Sequence, residues 1–473
     1  MNVLPALMIW LVPLLFGSGL WVAVVGWPRR AHGLATILGG GWIVGVLLCG
    51  LLMQHVAAEL SSSALRAGSI AGLIGIGGWI VARLWRRAGD VAPPVHPVGW
   101  KGRALIALVL VVLAWRAWLF ATDIALHPTL PWDAWAVWQA KAKAWVLAGH
   151  AAPYVPFSRW LSEPQADLRT AAAWSYPELL SWTMTWFAAN AGWIEPWINL
   201  AWLGLWAGLL AAHYGQWRAL GVRTVHAAAG VYLLGSLPLL DAHVALGGYV
   251  DLWLAALMSL AGHAWLRWRD SRDARQLLIV VGVIALLPML KLEGAVWSIV
   301  FGASCVFGVL PRRMRGRRFL IGAGVAIVAI ALCVALRVPW VEVARNYAHG
   351  SLVFDAAQVG KSSRALANAL WGQWNWNLLW FALPVVLVCK RDWLHTATTR
   401  RLLALVAVPL LLIGGLFAFT TAARYAQSYS AVNRLLLQLT PLLVSLLVLA
   451  LWLPRDVAAD QGVGAEPGDS RPE

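Results

Sequence analysis

Apolar runs long enough to cross a lipid bilayer recur along this chain. They fall near residues 6–27, 34–57, 66–84, 104–122, 197–213, 225–240, 250–266, 277–290, 294–310, 319–337, 376–390, 402–420 and 435–452. A hydrocarbon layer about 30 Å thick takes about 20 apolar residues in a helix, and it holds no water to satisfy an open backbone. The pattern therefore predicts an all-α polytopic membrane protein of about 13 transmembrane helices. Composition supports the same class: 60% of the 473 residues are hydrophobic and 12% are charged, against about 25% charged in soluble domains.

The formal charge of +16 would suggest nucleic acid on a soluble surface. Here the arginines sit in short clusters between apolar runs, so nucleic acid is excluded as a partner and the charge reports orientation. Alternate connections are strongly basic: "WPRR", "RLWRRAG", "QWRALGVR", "RWRDSRDAR", "PRRMRGRR" and "KRDWLHTATTRR". The positive-inside rule makes these cytoplasmic. The N-terminus is then outside, a retained first span rather than a signal peptide. The polar tail 454–473 is expected to be cytoplasmic and disordered. Cys49, Cys305, Cys333 and Cys389 lie within or at the ends of apolar runs. No zinc or disulfide spacing is present, and they read as buried inert thiols.

This scheme leaves one large external loop, 123–196. Its segment "WSYPELLSWTMTWFAANAGW" (174–193) is apolar, but counting it as a span would put a long loop or basic residues on the wrong side. An interfacial or re-entrant helix is expected instead. A second interfacial helix is expected in "TLPWDAWAVWQAKAKAW" (129–145), where Trp135, Trp138, Ala142 and Trp145 share a face. That face suits lipid headgroups, leaving Asp133 toward protein and water. Asp133 also suits a helix cap, worth about 0.5–2 kcal/mol.

Polar residues collect on the same side. "LPLLDAHVALGGYVDLW" carries Asp241, His243, Tyr249 and Asp251, the last at the mouth of a span where an unpaired carboxylate is costly. "LPMLKLEGAVW" puts Lys291 beside Glu293, and "AARYAQSYSAVNRLLLQLTP" brings Arg424, Tyr425, Asn433 and Arg434 to the last span. Arginine grips phosphate bidentately, and a neighbouring carboxylate can serve as general base on a hydroxyl. The external stretch 338–375, with Arg345, Tyr347, His349, Lys361 and Arg364, has the length of a lid. No phosphate loop, HExxH site or GxSxG elbow is present.

The order of these pieces resembles the GT-C class of integral-membrane glycosyltransferases, most closely bacterial protein mannosyltransferases and aminoarabinose transferases. The pieces are "LPWDAWAVWQAKAKAW", "YPELLSW", "GGYVDLWLA", "KLEG" and "NRLLLQLTP". The resemblance covers roughly residues 104–441. Gln438 stands where histidine is often seen in that class. The resemblance implies inverting transfer of a sugar from a polyprenyl-phosphate carrier to a lipid, glycan or protein acceptor on the extracytoplasmic side of the inner membrane. Asp133 would be the base, with Asp251 and Asp241 as further acidic residues. Arg434, Lys291 and Arg424 would hold the donor phosphate. Tyr176, Glu178, His243, Tyr249 and Glu293 would line the substrate. No cofactor is required, and an Asp–metal–phosphate variant with a divalent metal stays open.

Three units are expected: an N-terminal three-helix module (1–103), a catalytic core (104–453) with external loops 123–196 and 338–375, and the tail. A transporter or flippase of lipid-linked glycans is the competing class. It would place charges near the bilayer midplane and break helices in paired halves.

Overall fold

The structure, a computed structural model, describes residues 3–28, 31–56, 59–84, 97–164, 166–189, 191–309 and 352–453. Among these residues the fold is helical, with two isolated β-bridges and no strand. Four long helices open the chain: α1 (Val3–Val25), α2 (Ala31–Val56), α3 (Leu60–Leu84) and α4 (Trp100–Leu126). A π-helical turn (Ala134–Gln139) leads into α5 (Ala140–Ala148), followed by α6 (Phe157–Ser162), α7 (Leu179–Ala188) and α8 (Glu195–Ala219). Next come α9 (Thr224–Gly235), α10 (Pro238–Ala245), α11 (Asp251–Ser271), α12 (Ala274–Leu290) and α13 (Leu292–Val309). After the break lie α14 (Ala356–Ala367), α15 (Leu379–Cys389), α16 (Ala397–Phe419), α17 (Ala423–Gln427) and α18 (Val432–Trp452).

Among the described residues six helices are long and apolar enough to cross a membrane: α1, α2, α3, α4, α16 and α18. Counting α9 and α10, which meet at a 64° bend, as one broken span gives seven. This falls short of the thirteen expected, for physical reasons. Helices α8 and α11 have 25 and 21 residues, but polar groups such as His213, Gln216, Asp251 and His263 lower their hydropathy. Helices α12 and α15 have 17 and 11 residues, and at 1.5 Å per residue they are short. The expected span 319–337, Cys333, residues 338–351 of the expected lid and the tail 454–473 lie outside the described residues.

Helices α11 and α18 form the centre, buried on nearly every side, as helices apolar all round must be. Helix α4 is the opposite case. It buries only Val109, Leu113, Phe120 and Ile124, and its outward face carries exposed Leu108, Leu110, Val111, Trp115 and Trp118. That face matches lipid, not water.

The first three helices share this core. Trp42 of α2 stacks on Trp253 of α11, and Trp186 of α7 donates to the Ile9 carbonyl of α1 at 3.1 Å. Helices α1 and α2 touch backbone to backbone through glycine. A Cβ at Gly17 would sit 1.8 Å from the Gly41 oxygen, and one at Gly45 would sit 1.9 Å from the Pro13 oxygen. Close approach through small residues is how apolar helices associate where no hydrophobic drive separates helix from lipid. Gly45→Val is therefore expected to part α1 from α2, costing at least the ~1–3 kcal/mol of ordinary overpacking. A fall in the melting temperature of the solubilised protein measures it. Gly72→Val is the control, because nothing lies within 4 Å of the Cβ it would add.

Two expectations for the first large loop are corrected. Trp138, Ala142 and Trp145 do not face lipid headgroups; they are buried in protein at 2% exposure or less. Trp145 packs on Trp182 with ring centroids 4.6 Å apart. The exposed indoles are Trp132 and Trp135. The helical wheel misjudged them because the first turn is a π-helix, which shifts the side-chain angle. Helix α7 is not laid on an interface either, which leaves the re-entrant alternative: all ten of its residues are buried, and at about 15 Å it is too short to span. Of the described cysteines, Cys49 and Cys305 are buried as expected, whereas Cys389 is exposed at the end of α15.

Candidate functional site

The site is assembled at the end of the bundle where α8, α11, α13 and α18 begin. Just ahead of the π-helical turn, Thr129 is locked by a buried polar triangle. Gln139 Nε2 donates to Thr129 Oγ1 at 3.0 Å and to Asn199 Oδ1 at 3.1 Å, and Asn199 Nδ2 donates to Thr129 Oγ1 at 2.9 Å. The Glu195 carboxylate accepts from the Thr129 backbone N–H at 3.2 Å. The Gly247–Gly248 turn then closes on this loop. Both glycines have positive φ, 57° and 82°, a region that disfavours side chains. A Cβ at Gly248 would lie 2.4 Å from the Ala134 Cβ. Trp202 Nε1 holds the Tyr249 carbonyl at 2.7 Å. Two segments distant in sequence are thereby pinned together, with Asp133 on one and Asp251 on the other.

Arg434, in the first turn of α18, joins the two carboxylates. Its Nε donates to Asp251 Oδ2 at 2.8 Å and its Nη1 donates to Asp133 Oδ2. Its guanidinium lies over the Tyr249 ring, 4.7 Å from the centroid. Lys291, between α12 and α13, donates to Asp251 Oδ1 at 3.1 Å and pairs with Glu293 at 3.0 Å. Gln438, one turn beyond Arg434, adds its Nε2 to Asp251 Oδ1 at 2.7 Å.

The two aspartates differ in kind. The Asp251 side chain has no exposure and three donor side chains. Buried charge survives only when paired and hydrogen-bonded in this way. The Asp133 side chain is 29% exposed, and among the described residues Arg434 is its hydrogen-bond partner. Asp133 stands at the head of the π-helical turn but makes no side-chain capping bond, so the capping reading fails. Arg434 Nη2 is buried with no partner, as is Asn433 Oδ1 beside it. His243 donates from Nδ1 to its own helix at Leu239 O, 2.9 Å away. That leaves a buried, unpartnered Nε2 on a ring 5.0 Å from Tyr249. Burial raises the Tyr249 phenol above its usual range, so it stays a proton donor.

Gln438 and Trp297 went without a role in the sequence. Trp297 Nε1 donates to Gln438 Oε1 at 2.6 Å, which turns the amide so that its NH₂ faces Asp251. The available signal was the helical spacing of Arg434 and Gln438, which puts two polar groups on one face of an apolar helix. Trp297→Phe is expected to leave a buried acceptor unpaired and to cost about 1–3 kcal/mol, read as a lower melting temperature. A strap over residues 352–377 also reaches the site. Helix α14 is tied to the end of α16 by Gln358 Nε2, which donates to Ala418 O and Thr420 O at 3.1 Å each. Gln373 accepts from Asn433 at 2.6 Å. Lys361 and Arg364 are exposed on α14, and Arg345, Tyr347 and His349 lie outside the described residues.

Of the site residues expected from sequence, Asp133, Asp251, Arg434, Lys291, Glu293, Tyr249 and His243 come together. Four do not. Asp241 is engaged by Arg116 of α4, on the side of α10 that packs on that helix. Arg424 is exposed and bonds the neighbouring Tyr425 hydroxyl at 2.8 Å, so it is a surface group. Tyr176 and Glu178 belong to a clamp around Lys141. This buried ammonium donates to Trp174 O at 2.8 Å, Tyr176 O at 3.0 Å and Glu178 Oε1 at 3.2 Å. Burial pulls Lys141 below the usual lysine range, and Glu178 opposes that pull. The Tyr-Pro-Glu element thus seats α5 against α7.

Among the described residues no group of three or more His, Cys, Asp or Glu side chains converges as metal ligands would. The Asp133 and Asp251 carboxylates are bridged by the Arg434 guanidinium. A separate cavity of about 270 Å³ lies beside the site, between the end of α4 and α10, lined by Asp123, His127, Leu130, Asn199 and Leu246 among others. No protein-family model, curated protein or solved structure matches this chain.

Proposed function

We propose that this protein is a membrane glycosyltransferase that moves a sugar from a polyprenyl-phosphate-linked donor to an acceptor hydroxyl on the extracytoplasmic side of the membrane. The observation that carries this reading is Arg434, which holds a buried and a half-exposed carboxylate together while keeping a buried N–H unspent. A guanidinium so placed is a ready phosphate clamp. Every charged member of the cluster sits at a helix start or junction: Asp133 before the π-helical turn, Asp251 opening α11, Lys291 and Glu293 at the α12–α13 joint, Arg434 in the first turn of α18. In a membrane bundle helix ends lie near the headgroups, and this reading puts the lipid-borne phosphate there. A transporter would want its charges deeper.

In the reaction, the acceptor O–H gives its proton to Asp133 as the oxygen bonds to the anomeric carbon. The bond from that carbon to the phosphate oxygen breaks, and its electron pair leaves with the polyprenyl phosphate. Arg434 and, behind it, Lys291 meet the charge that develops on the leaving phosphate. Asp251 touches neither reactant; it fixes both cations. Activation is stored in the phospho-sugar bond, so no nucleotide site is needed.

The test is mass spectrometry of envelope glycans and polyprenyl-phospho-sugars in a strain lacking the protein. One glycan modification should vanish and its lipid-linked donor should accumulate. Unchanged profiles of both would overturn the reading.

A further inference from the structure

Resting on that function, we propose that Asp133 occupies the donor's place on Arg434 when no donor is bound, and that the donor phosphate frees the base by displacing it. Three observations converge. Asp133 is held by Arg434, whereas Asp251 keeps Lys291 and Gln438 if Arg434 turns away. Asp133 is also the more exposed of the two carboxylates. Finally, Arg434 Nη2 lies buried and unpartnered beside the bond that Asp133 makes. Once Asp133 is pushed aside, a phosphate oxygen at Nη1 has the unspent Nη2 N–H next to it, which completes a two-point grip.

Charge favours this exchange. Asp133, Asp251 and Glu293 carry three negative charges against the two positive charges of Arg434 and Lys291. A phosphodiester deepens that excess however it binds, so it needs a cation of its own. A phosphodiester that replaces the Asp133 carboxylate on Arg434 exchanges one monoanion for another at the guanidinium. The released carboxylate no longer spends its Oδ2 on the guanidinium, and that oxygen is open to the acceptor's proton. The availability of the base is thereby tied to the presence of donor, and an empty site keeps that oxygen engaged by Arg434.

The order of events has a measurable signature. If Asp133 competes for Arg434, its removal strengthens phosphate binding, because the resting pair no longer has to be broken. Undecaprenyl phosphate is the probe, titrated by native mass spectrometry into the full-length protein in detergent. Asp133→Asn and Asp133→Ala are each expected to bind it roughly five- to tenfold more tightly than wild type, and Arg434→Gln is expected to lose binding. Two substitutions are used so that one poorly folding variant does not decide the outcome. Equal or weaker binding by both Asp133 variants, with clear binding by wild type, would overturn the displacement proposal and leave the glycosyltransferase reading standing. No binding by any form, Asp133 variants included, would overturn the donor site itself.

Discussion

Asp251→Ala is expected to unfold the protein's centre, not merely to inactivate it. The substitution leaves Arg434 and Lys291 as buried cations robbed of their shared partner, and it strands the Gln438 amide. Breaking a buried ion pair from one side costs about 3–5 kcal/mol, a large part of the ~5–15 kcal/mol that holds a typical fold together. The measurement is the yield of monodisperse protein and its melting temperature in detergent. Pairing the change with Lys291→Met should restore part of the loss, because one of the two cations that lost the shared carboxylate goes with it. A melting temperature within a degree or two of wild type would show that water reaches the cluster and that its burial is not what makes Asp251 matter.

Asp133→Asn should behave in the contrary way. A half-exposed ion pair contributes about 1 kcal/mol or less, so insertion and melting should be close to wild type. Transfer of labelled sugar from a lipid-linked donor should fall by about 10²–10⁴, the share of a general base. The two aspartates, each bound to the same arginine, would then separate into a structural and a chemical role. A transfer rate near wild type would strip Asp133 of its part in the chemistry.

How legible this was in the sequence varied with the kind of signal. Helical class follows from hydropathy alone, because lipid allows no open backbone. The convergence of Asp133, Asp251, Lys291 and Arg434 was visible as charge beside apolar runs, where unpaired groups are costly and must find one another. What failed was anything that needed a partner's identity. Asp241 looked like Asp251 in sequence, and only the position of Arg116 on α4 separates them. Trp138 and Trp145 looked like headgroup anchors because indoles suit both an interface and a core, and the fold chose the core. Lys141 gave no sign of burial; its acceptors are two main-chain carbonyls and Glu178, all supplied by a later stretch of the loop. Of the expected spans, six long helices carry the count among the described residues, seven with the α9–α10 bend as one broken span, while the proline-bearing apolar runs at α12 and α15 form shorter helices.

The place of α2 in the core sets a timetable for synthesis. Gly39 of α2 meets Gly208 of α8 so closely that a Cβ there would lie 2.4 Å from its carbonyl oxygen, and Trp42 waits for Trp253. Those partners leave the ribosome well over a hundred residues later, on the order of ten seconds at ordinary elongation rates. Over that interval α1 can shield one flank of α2 through the Gly17–Gly41 contact, while the other flank faces lipid. A chain begun at residue 104 would keep every charged group of the site and still lack the wall on which α7, α8 and α11 come to rest.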